Sequence, residues 1–461
     1  MKRAVIVQGL GFGDEGKGAT VDFLTRELAA DLVVRYCGGS QAGHNVVLPD
    51  GRRHAFAQFG AGTLAGATTY LGEQMIINLP AMHKEAQHLL EMTSTDPFVK
   101  LLVHPRVLVS TIYHQQLNRL RELARGANRH GSCGHGIGET RNYWLKYGQD
   151  AVFAADLKDR ETLGGKLELF RQRVLLEAQE LVDRIPTEEH WRLEVFMEPA
   201  RQVAGELRQM ADPLSFQSVV PDYTTAVFEG AQGVLLDEWR GFHPHTTWST
   251  VTLHHALTMV EESEAEEVCT LGVTRAYMTR HGAGPLPTWS RELDSQLSDP
   301  GNPTNAWQGT IRRGWLDLVL LRYAAEMAGG PLDGLVINCM DHLADVSPQI
   351  CVGYRYPPET EIEQLAVSPA PWLAAQEKLT MLLERADPVY RQISLAAVSE
   401  MLAHALAPIA ITGSGPAWQD RTLRDLRFRC WGIAQPMNSR ISGHWHNRTD
   451  TQGLLDRNLV V

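Results

Sequence analysis

Two carboxylates and a lysine sit inside a glycine-rich stretch, Gly11-Phe12-Gly13-Asp14-Glu15-Gly16-Lys17-Gly18. Gly11, Gly16 and Lys17 have the spacing of a phosphate-binding loop, where bare backbone N–H groups and one lysine hold a polyphosphate. Two departures sharpen the chemistry. Gly18 stands where such loops carry a Ser or Thr hydroxyl for magnesium. Asp14 and Glu15 put negative charge into a turn built to receive anions, which makes sense if a carboxylate binds a metal ion or takes a proton from substrate. The residues support a nucleotide site with its own base; a plain strand-to-helix turn is the alternative.

Other chemistry-bearing clusters follow. In Gly38-Gly39-Ser40-Gln41-Ala42-Gly43-His44-Asn45 the glycines permit close backbone approach to a ligand, and His44 can deliver a proton near neutral pH. Phe228-Glu229-Gly230-Ala231-Gln232-Gly233 ends in a glycine turn bearing a carboxamide suited to a base edge or a reaction centre. His243-Pro244-His245-Thr246-Thr247 offers hydroxyls for a phosphate; its histidines invite zinc, but no further ligands stand at the usual spacing. Asp341 in Asn338-Cys339-Met340-Asp341 can accept two N–H bonds from a guanine edge or cap a helix, and Gly413-Ser414-Gly415-Pro416 can close over a purine or simply turn the chain.

These clusters need a scaffold, and the pattern supplies one. Short β-branched runs predict strands over 5–7, 32–35, 75–77, 101–103, 107–109, 226–228, 270–273, 335–337, 350–352 and 409–411. Val21, Leu24 and Leu28 predict a helix after the first turn, and helical periodicity recurs over 117–123, 166–182, 251–259, 316–327 and 393–405. The alternation predicts an α/β protein resembling phosphate-loop NTPases: a large, mostly parallel sheet with helices on both faces. Ligands then gather at the carboxyl edge of the sheet. Segments 125–147 and 282–313 read as long loops that act as lids. A single domain over 1–430 and a C-terminal extension over 431–461 complete the expected organisation.

The net charge of -11 over 461 residues excludes the basic face that general nucleic-acid binding requires. No run reaches the roughly 18 apolar residues of a membrane span. The six cysteines form no C-x-x-C pair, which suits a reducing compartment, and the expected location is cytoplasmic. A NAD-binding fingerprint fails, because Arg35-Tyr36 stand where a ribose-binding acid should end the second strand.

Taken in order, these motifs resemble the adenylosuccinate synthetase family. Its glycine-rich G-D-E-G-K-G segment matches residues 13–18, its G-G-x-N-A-G-H matches 38–44, and its F-E-G-A-Q-G matches 228–233. Thr279-Arg280-His281-Gly282-Ala283-Gly284-Pro285, Gly314-Trp315-Leu316-Asp317, Asp341 and 413–416 follow in family order. The resemblance implies a homodimeric ligase of purine biosynthesis. GTP phosphorylates O6 of IMP, and L-aspartate then displaces that phosphate. It implies Asp14 as base, His44 as donor at the β–γ bridging oxygen, Lys17 on phosphate and Gln232 on the 6-phosphoryl intermediate. Gly13, Glu15, Gly16, Gly18, Gly43, Asn45, Asp341, Gly413, Ser414 and Gly415 join the triphosphate site, and Asp14 with the Gly43 carbonyl holds Mg2+. Gln41, Ala42, Cys133, Thr247, Arg312 and Arg313 fall to the other substrates.

The departures cluster on the acceptor side. Gln41 replaces an asparagine and Cys133 a threonine; Cys339 replaces a guanine-side lysine, which opens ATP as an alternative donor. Arg141 and Lys146 lie near the place of an arginine that a neighbouring subunit lends. The family's G-A-T-T-G-R-R-R-R reads Asn305-Ala306-Trp307-Gln308-Gly309-Thr310-Ile311-Arg312-Arg313, leaving two of four arginines. Alternatives are thus a paralogue using a modified purine nucleotide or another amino acid, and a non-catalytic nucleotide-binding homologue.

Overall fold

The computed structural model describes residues 1–126, 132–182, 215–297, 310–357, 360–368 and 372–431. Its centre is a ten-stranded sheet. In chain order the strands are β1 (Arg3–Gly9), β2 (Leu32–Arg35), β3 (Thr68–Leu71), β4 (Leu101–Val103), β5 (Thr225–Gly233), β6 (Glu267–Arg275), β7 (Gly334–Asn338), β8 (Ile409–Gly413), β9 (Arg421–Leu423) and β10 (Arg429–Cys430). The spatial order is β9-β8-β7-β6-β1-β5-β2-β3-β4, with β10 antiparallel beside β6. All other neighbours run parallel except β8 and β9.

The apolar runs follow from burial on both faces. Along β1, Ala4 and Ile6 enter one core cluster while Val5 and Val7 enter the other. Parallel order sends every strand's carboxyl end to the same edge. The chain winds away from β1 in both directions, so that edge holds the switch point where α/β proteins bind ligands.

Several expectations are corrected. Strands form at Met75–Ile77 and Leu108–Val109, but in a side sheet with Gly38–Gly39; 350–352 belongs to another small sheet. Strand β3 escapes the search for apolar runs because Thr68 and Thr69 open it. The stretch 125–147 is no continuous loop: Ile137–Tyr147 is a helix. Its buried face includes Glu139 and Thr140, which blurs the apolar period, and Glu139 is paired with Arg121 at 3.0 Å. Within 282–313, Arg291–Gln296 is helical and Ile311–Gly314 is a strand paired with Met278–His281; residues 298–309 lie outside the described ones. So does nearly all of the extension over 431–461. Among the described residues no helix is long and apolar enough to cross a membrane.

Candidate active site

The loop leaving β1 turns through left-handed backbone at Gly13 (φ 95°), Asp14 (φ 61°) and Gly16 (φ 89°) before helix α1 (Lys17–Glu27) begins. A non-glycine residue at positive φ is strained unless its surroundings hold it there. Arg275, at the end of β6, does so by donating from Nε to the Asp14 carbonyl. From the end of β7, Asn338 Nδ2 donates to the Glu15 carbonyl (2.9 Å) and to Thr20 Oγ1 (3.2 Å).

The two acids divide the loop between them. Glu15 is buried, and its Oε1 accepts the N–H groups of Gly11 (3.0 Å) and Gly13 (2.8 Å). Its Oε2 accepts from Lys17 Nζ, itself buried. Glu15 is therefore the loop's own resident anion. Asp14 instead reaches the mouth of the site, where Oδ2 lies 3.0 Å from His281 Nε2. Burial raises its pKa, but the His281 contact and the charges of His281, Arg275 and Lys17 outweigh this and hold it below 3.8.

His44 opens the strand that follows the second glycine cluster. Its Nδ1 donates to the Glu229 carboxylate and its Nε2 lies 3.2 Å from the Ala231 carbonyl. Both ring nitrogens thus face acceptors, as only a doubly protonated ring fully satisfies. Burial lowers the His44 pKa, and Glu229 works against that. Glu229, fully buried, also accepts from Ala61 N–H at 2.9 Å. Burial raises its pKa, and Arg35, His44 and that N–H together take it below the ordinary value.

The backbone and Cβ of His44 explain Gly18. A Cβ on Gly18 would stand 2.7 Å from His44 Cβ and 2.8 Å from its carbonyl carbon, so the Ser or Thr of ordinary phosphate loops has no room. Gly43 faces open space, with nothing within 4 Å of where its Cβ would be. Asn45 pairs with Ala55 in the hairpin behind it. Gln232 leans over the loop, its Oε1 3.7 Å from a Cβ placed on Gly13.

The remaining predicted residues spread outward. Gln41 Oε1 is buried and has no hydrogen-bond partner among the described residues, and Ala42 packs into the core. Burial pushes the Cys133 thiol up. Its loop leads into the Ile137–Tyr147 helix, where a Cβ on Gly138 would meet Trp248 at 2.7 Å; that brings the loop beside Thr247. Thr247 is fixed by its own N–H on the Leu236 carbonyl at 2.9 Å. His243 Nε2 faces the Glu238 carbonyl at 2.7 Å, and among the described residues no three of His, Cys, Asp and Glu gather around a metal position. At the far end, Met340 N–H donates to the Gly413 carbonyl at 3.1 Å, joining the Asp341 turn to the loop of Gly413, Ser414 and Gly415. Ser414 N–H in turn donates to the Asp420 carbonyl at 3.0 Å. Arg421 on β9 is near enough to Cys339 and Asp341 to interact with both electrostatically.

Arg312 and Arg313 do not act as a pair. Arg312 Nη2 donates to the carbonyls of Gly282 (2.7 Å) and Gly284 (2.8 Å), whereas Arg313 lies 3.7 Å from Asp294. Neighbouring strand residues face opposite sides, so the two cannot converge on one carboxylate. Arg280, in the same sheet, spends its guanidinium on the carbonyls of Ala283, Pro285 and His245. Arg141 donates to Gln74 at 3.2 Å, and Lys146 lies over Tyr147.

The Asp14 carboxylate and the Gly43 carbonyl, the magnesium ligands that the resemblance implies, are hard oxygen donors of the kind that ion takes alongside water and phosphate. Glu229, Asn338 and Arg275 were not singled out by sequence. Glu229 carried a signal, since it lies inside a glycine motif; Asn338 and Arg275 carried only their places at strand ends.

The adenylosuccinate synthetase family model matches residues 6–402. Adenylosuccinate synthetase of Limosilactobacillus reuteri is 32% identical over 396 residues, covering 85% of this chain and 86% of its own. That of Bacillus subtilis is 31% identical over 372 residues, 79% and 83% of the two chains. Among solved structures, fully ligated adenylosuccinate synthetase from Plasmodium falciparum superposes with a TM-score of 0.73 at 20% identity, over 91% of this chain and 99% of that one. Cyanophage S-2L succinoaminodeoxyadenylate synthetase, bound to dGMP and dATP as an energy donor, gives 0.59 at 16% identity, over 92% and 95%. These relatives are carbon–nitrogen ligases, and a loop that seats one acid among its amides and presents another at its mouth is set in their fold: the chain belongs to the adenylosuccinate synthetase family.

Proposed function

We propose that the protein joins L-aspartate to IMP at the expense of GTP, giving adenylosuccinate. The observation that carries this reading is the division of labour between Glu15 and Asp14. Glu15 takes the loop amides, so Asp14 is left at the mouth with its pKa held low, ionised and able to accept a proton. Asp14 takes the N1 proton of hypoxanthine, charge moves to O6, and O6 attacks the γ-phosphorus while GDP departs. His44, held by Glu229, donates toward the β–γ bridging oxygen as charge grows there. Lys17 exchanges Glu15 for phosphate. Gln232 steadies the phosphorylated ring until the amine attacks C6 and phosphate leaves. Magnesium, when bound at Asp14 and Gly43, neutralises charge on the phosphates. Retention of Asp14 supports a base without a 2-amino group. The homodimer and the subunit-borrowed arginine belong to the same proposal, with Arg141 and Lys146 near its place.

The test is phosphate release by the purified chain with GTP and magnesium. Release that needs both IMP and aspartate supports the reading; release without IMP overturns it. Asp14→Asn should abolish turnover while GTP still binds.

One observation favours a second reading, in which the acceptor amine is less acidic than aspartate. No Lys or Arg lies between Arg291 and Arg312, and Arg312 and Arg313 are engaged within the chain. A dicarboxylate needs bidentate cationic partners. Phosphate release with IMP and a neutral amino acid, but none with aspartate, would select this version.

A further inference from the structure

Arg35 is among the largest side chains that the fold buries completely, and most of its guanidinium goes unanswered. Nη1 donates to the Phe59 carbonyl at 3.0 Å; Nε and Nη2 are buried with no hydrogen-bond partner among the described residues. Buried donors left unpaired are costly, so an arginine in this place needs a reason beyond packing. It is the last residue of β2, where a dinucleotide-binding strand would end in an acid.

The reason lies across the sheet. Arg35 is the register partner of Glu229 on β5. Two residues earlier, Val33 and Val227 are likewise partners and enter one core cluster, so Arg35 and Glu229 project to that same face. Burial raises the Glu229 pKa, and the charge of Arg35 leads the influences that bring it below the ordinary value. The same charge disfavours a cation at His44, so the support it lends the ring passes through Glu229. The segment that covers the pair is fixed as well. Every N–H from residue 57 to 61 goes to a side chain: three to Glu85, that of Gly60 to Thr69 Oγ1 at 2.9 Å, and that of Ala61 to Glu229 Oε2 at 2.9 Å. Arg35 holds the carbonyl at the middle of that segment. One Glu229 oxygen is thereby committed to Ala61, and the other is left for His44 Nδ1.

We propose that Arg35 is a positioning residue for His44: its charge keeps the buried Glu229 carboxylate anionic and in place, and Glu229 in turn holds the ring. This rests on His44 as the donor at the triphosphate. A carboxylate without water around it needs a counter-charge. His44 is a partner whose bonds change as it serves the phosphates, whereas a guanidinium never gives up its proton. Arg35 is thus the permanent partner, acting through charge and not through a hydrogen bond to Glu229.

Steady-state phosphate release and thermal melting of the full chain test this together. Arg35→Gln keeps a donor and removes the charge; kcat should fall on the order of 10²-fold, as for a misplaced reacting group, with KM for GTP within about twofold. Arg35→Lys keeps the charge and should recover most of that loss. In a His44→Gln background Arg35→Gln should cost nothing further, because its effect runs through the ring. Equal losses in the two backgrounds, or equal losses in Arg35→Gln and Arg35→Lys, overturn the proposal, as does an unchanged kcat in Arg35→Gln. Melting needs no turnover. Arg35→Gln leaves the carboxylate without its counter-charge and should lower the melting temperature, and adding Glu229→Gln should restore part of it. A double variant destabilised by the sum of the two single changes means that the charges are not coupled, and overturns the proposal even where Arg35→Gln folds poorly. Failure of the ligase reading would appear separately: the unmodified chain would release no phosphate with IMP, while the melting cycle would stand.

Discussion

Glu15 and Gly233 exclude a side chain between them: a Cβ on Gly233 would lie 2.3 Å from Glu15 Oε1 and 2.1 Å from the Gly11 carbonyl oxygen. A Cβ on Gly9 would likewise meet Glu15 Oε2 at 2.5 Å. Glycines at the ends of β1 and β5 therefore make room for an internal acid and not for a ligand. Glu15→Gln keeps an acceptor for the amides but strips Lys17 of its buried counter-charge, at a cost of roughly 3–5 kcal/mol. A triphosphate supplies a new partner for Lys17, so thermal melting should show a large loss in the free variant and a partial recovery with GTP. Equal losses with and without GTP would mean that Lys17 does not meet phosphate.

Gly18→Ser tests the fit between α1 and His44. The added Cβ meets backbone as well as side chain, so His44 must shift. Misplacement of a reacting group by about an ångström costs on the order of 10²-fold in rate. kcat should fall by that order, with a stability loss of about 1–3 kcal/mol from the overpacking; an unchanged kcat in the folded variant would show that His44 has no fixed catalytic position.

His281→Val removes the contact that opposes burial at Asp14. The Asp14 pKa then rises, because burial raises it and His281 lowers it. Activity requires the ionised carboxylate, so the acid limb of the kcat/KM profile should move to higher pH. A limb that stays in place, or moves down, would remove Asp14 from the proton-accepting role.

Asp317 reports on stability. It caps the helix Leu318–Met327 and accepts from Tyr354 Oη at 2.6 Å, and burial pushes its pKa from 3.8 to about 7. Between those values the folded chain holds a proton that the unfolded chain has released, so stability falls as pH rises through that window. Asp317→Asn stays neutral throughout and should flatten the fall, by a few kcal/mol at most (~1.4 kcal/mol per pH unit). A variant with the same slope as the parent would assign that slope to other groups.

Candidate residues within one short motif are legible in sequence: Asp14, Lys17, His44 and Gln232 all announce themselves by type and by glycine neighbours. Partners are not. His44 meets Glu229 across 185 positions, and Asn338 meets the Glu15 carbonyl across 323, separations that no local pattern encodes. The sheet is legible where strands are buried on both faces, as at β1 and β6, and illegible at β3, where threonines break the apolar run. Glu15 is legible by type but not by contact: only the geometry of Gly11, Gly13 and Lys17 shows its carboxylate accepting from the loop's own N–H groups.

Strand β5 lies between β1 and β2, although nearly two hundred residues of chain separate it from β2. During synthesis the N-terminal segment emerges with both of those strands lacking their shared neighbour. A nascent chain that stops before Thr225 exposes two open strand edges at the middle of its future sheet, the kind of surface that pairs with other chains. Glu229 arrives on that same strand, so His44 gains its carboxylate in the event that closes the sheet. Until then the proposed site lacks the carboxylate that holds His44, and a prematurely terminated chain is expected to be aggregation-prone.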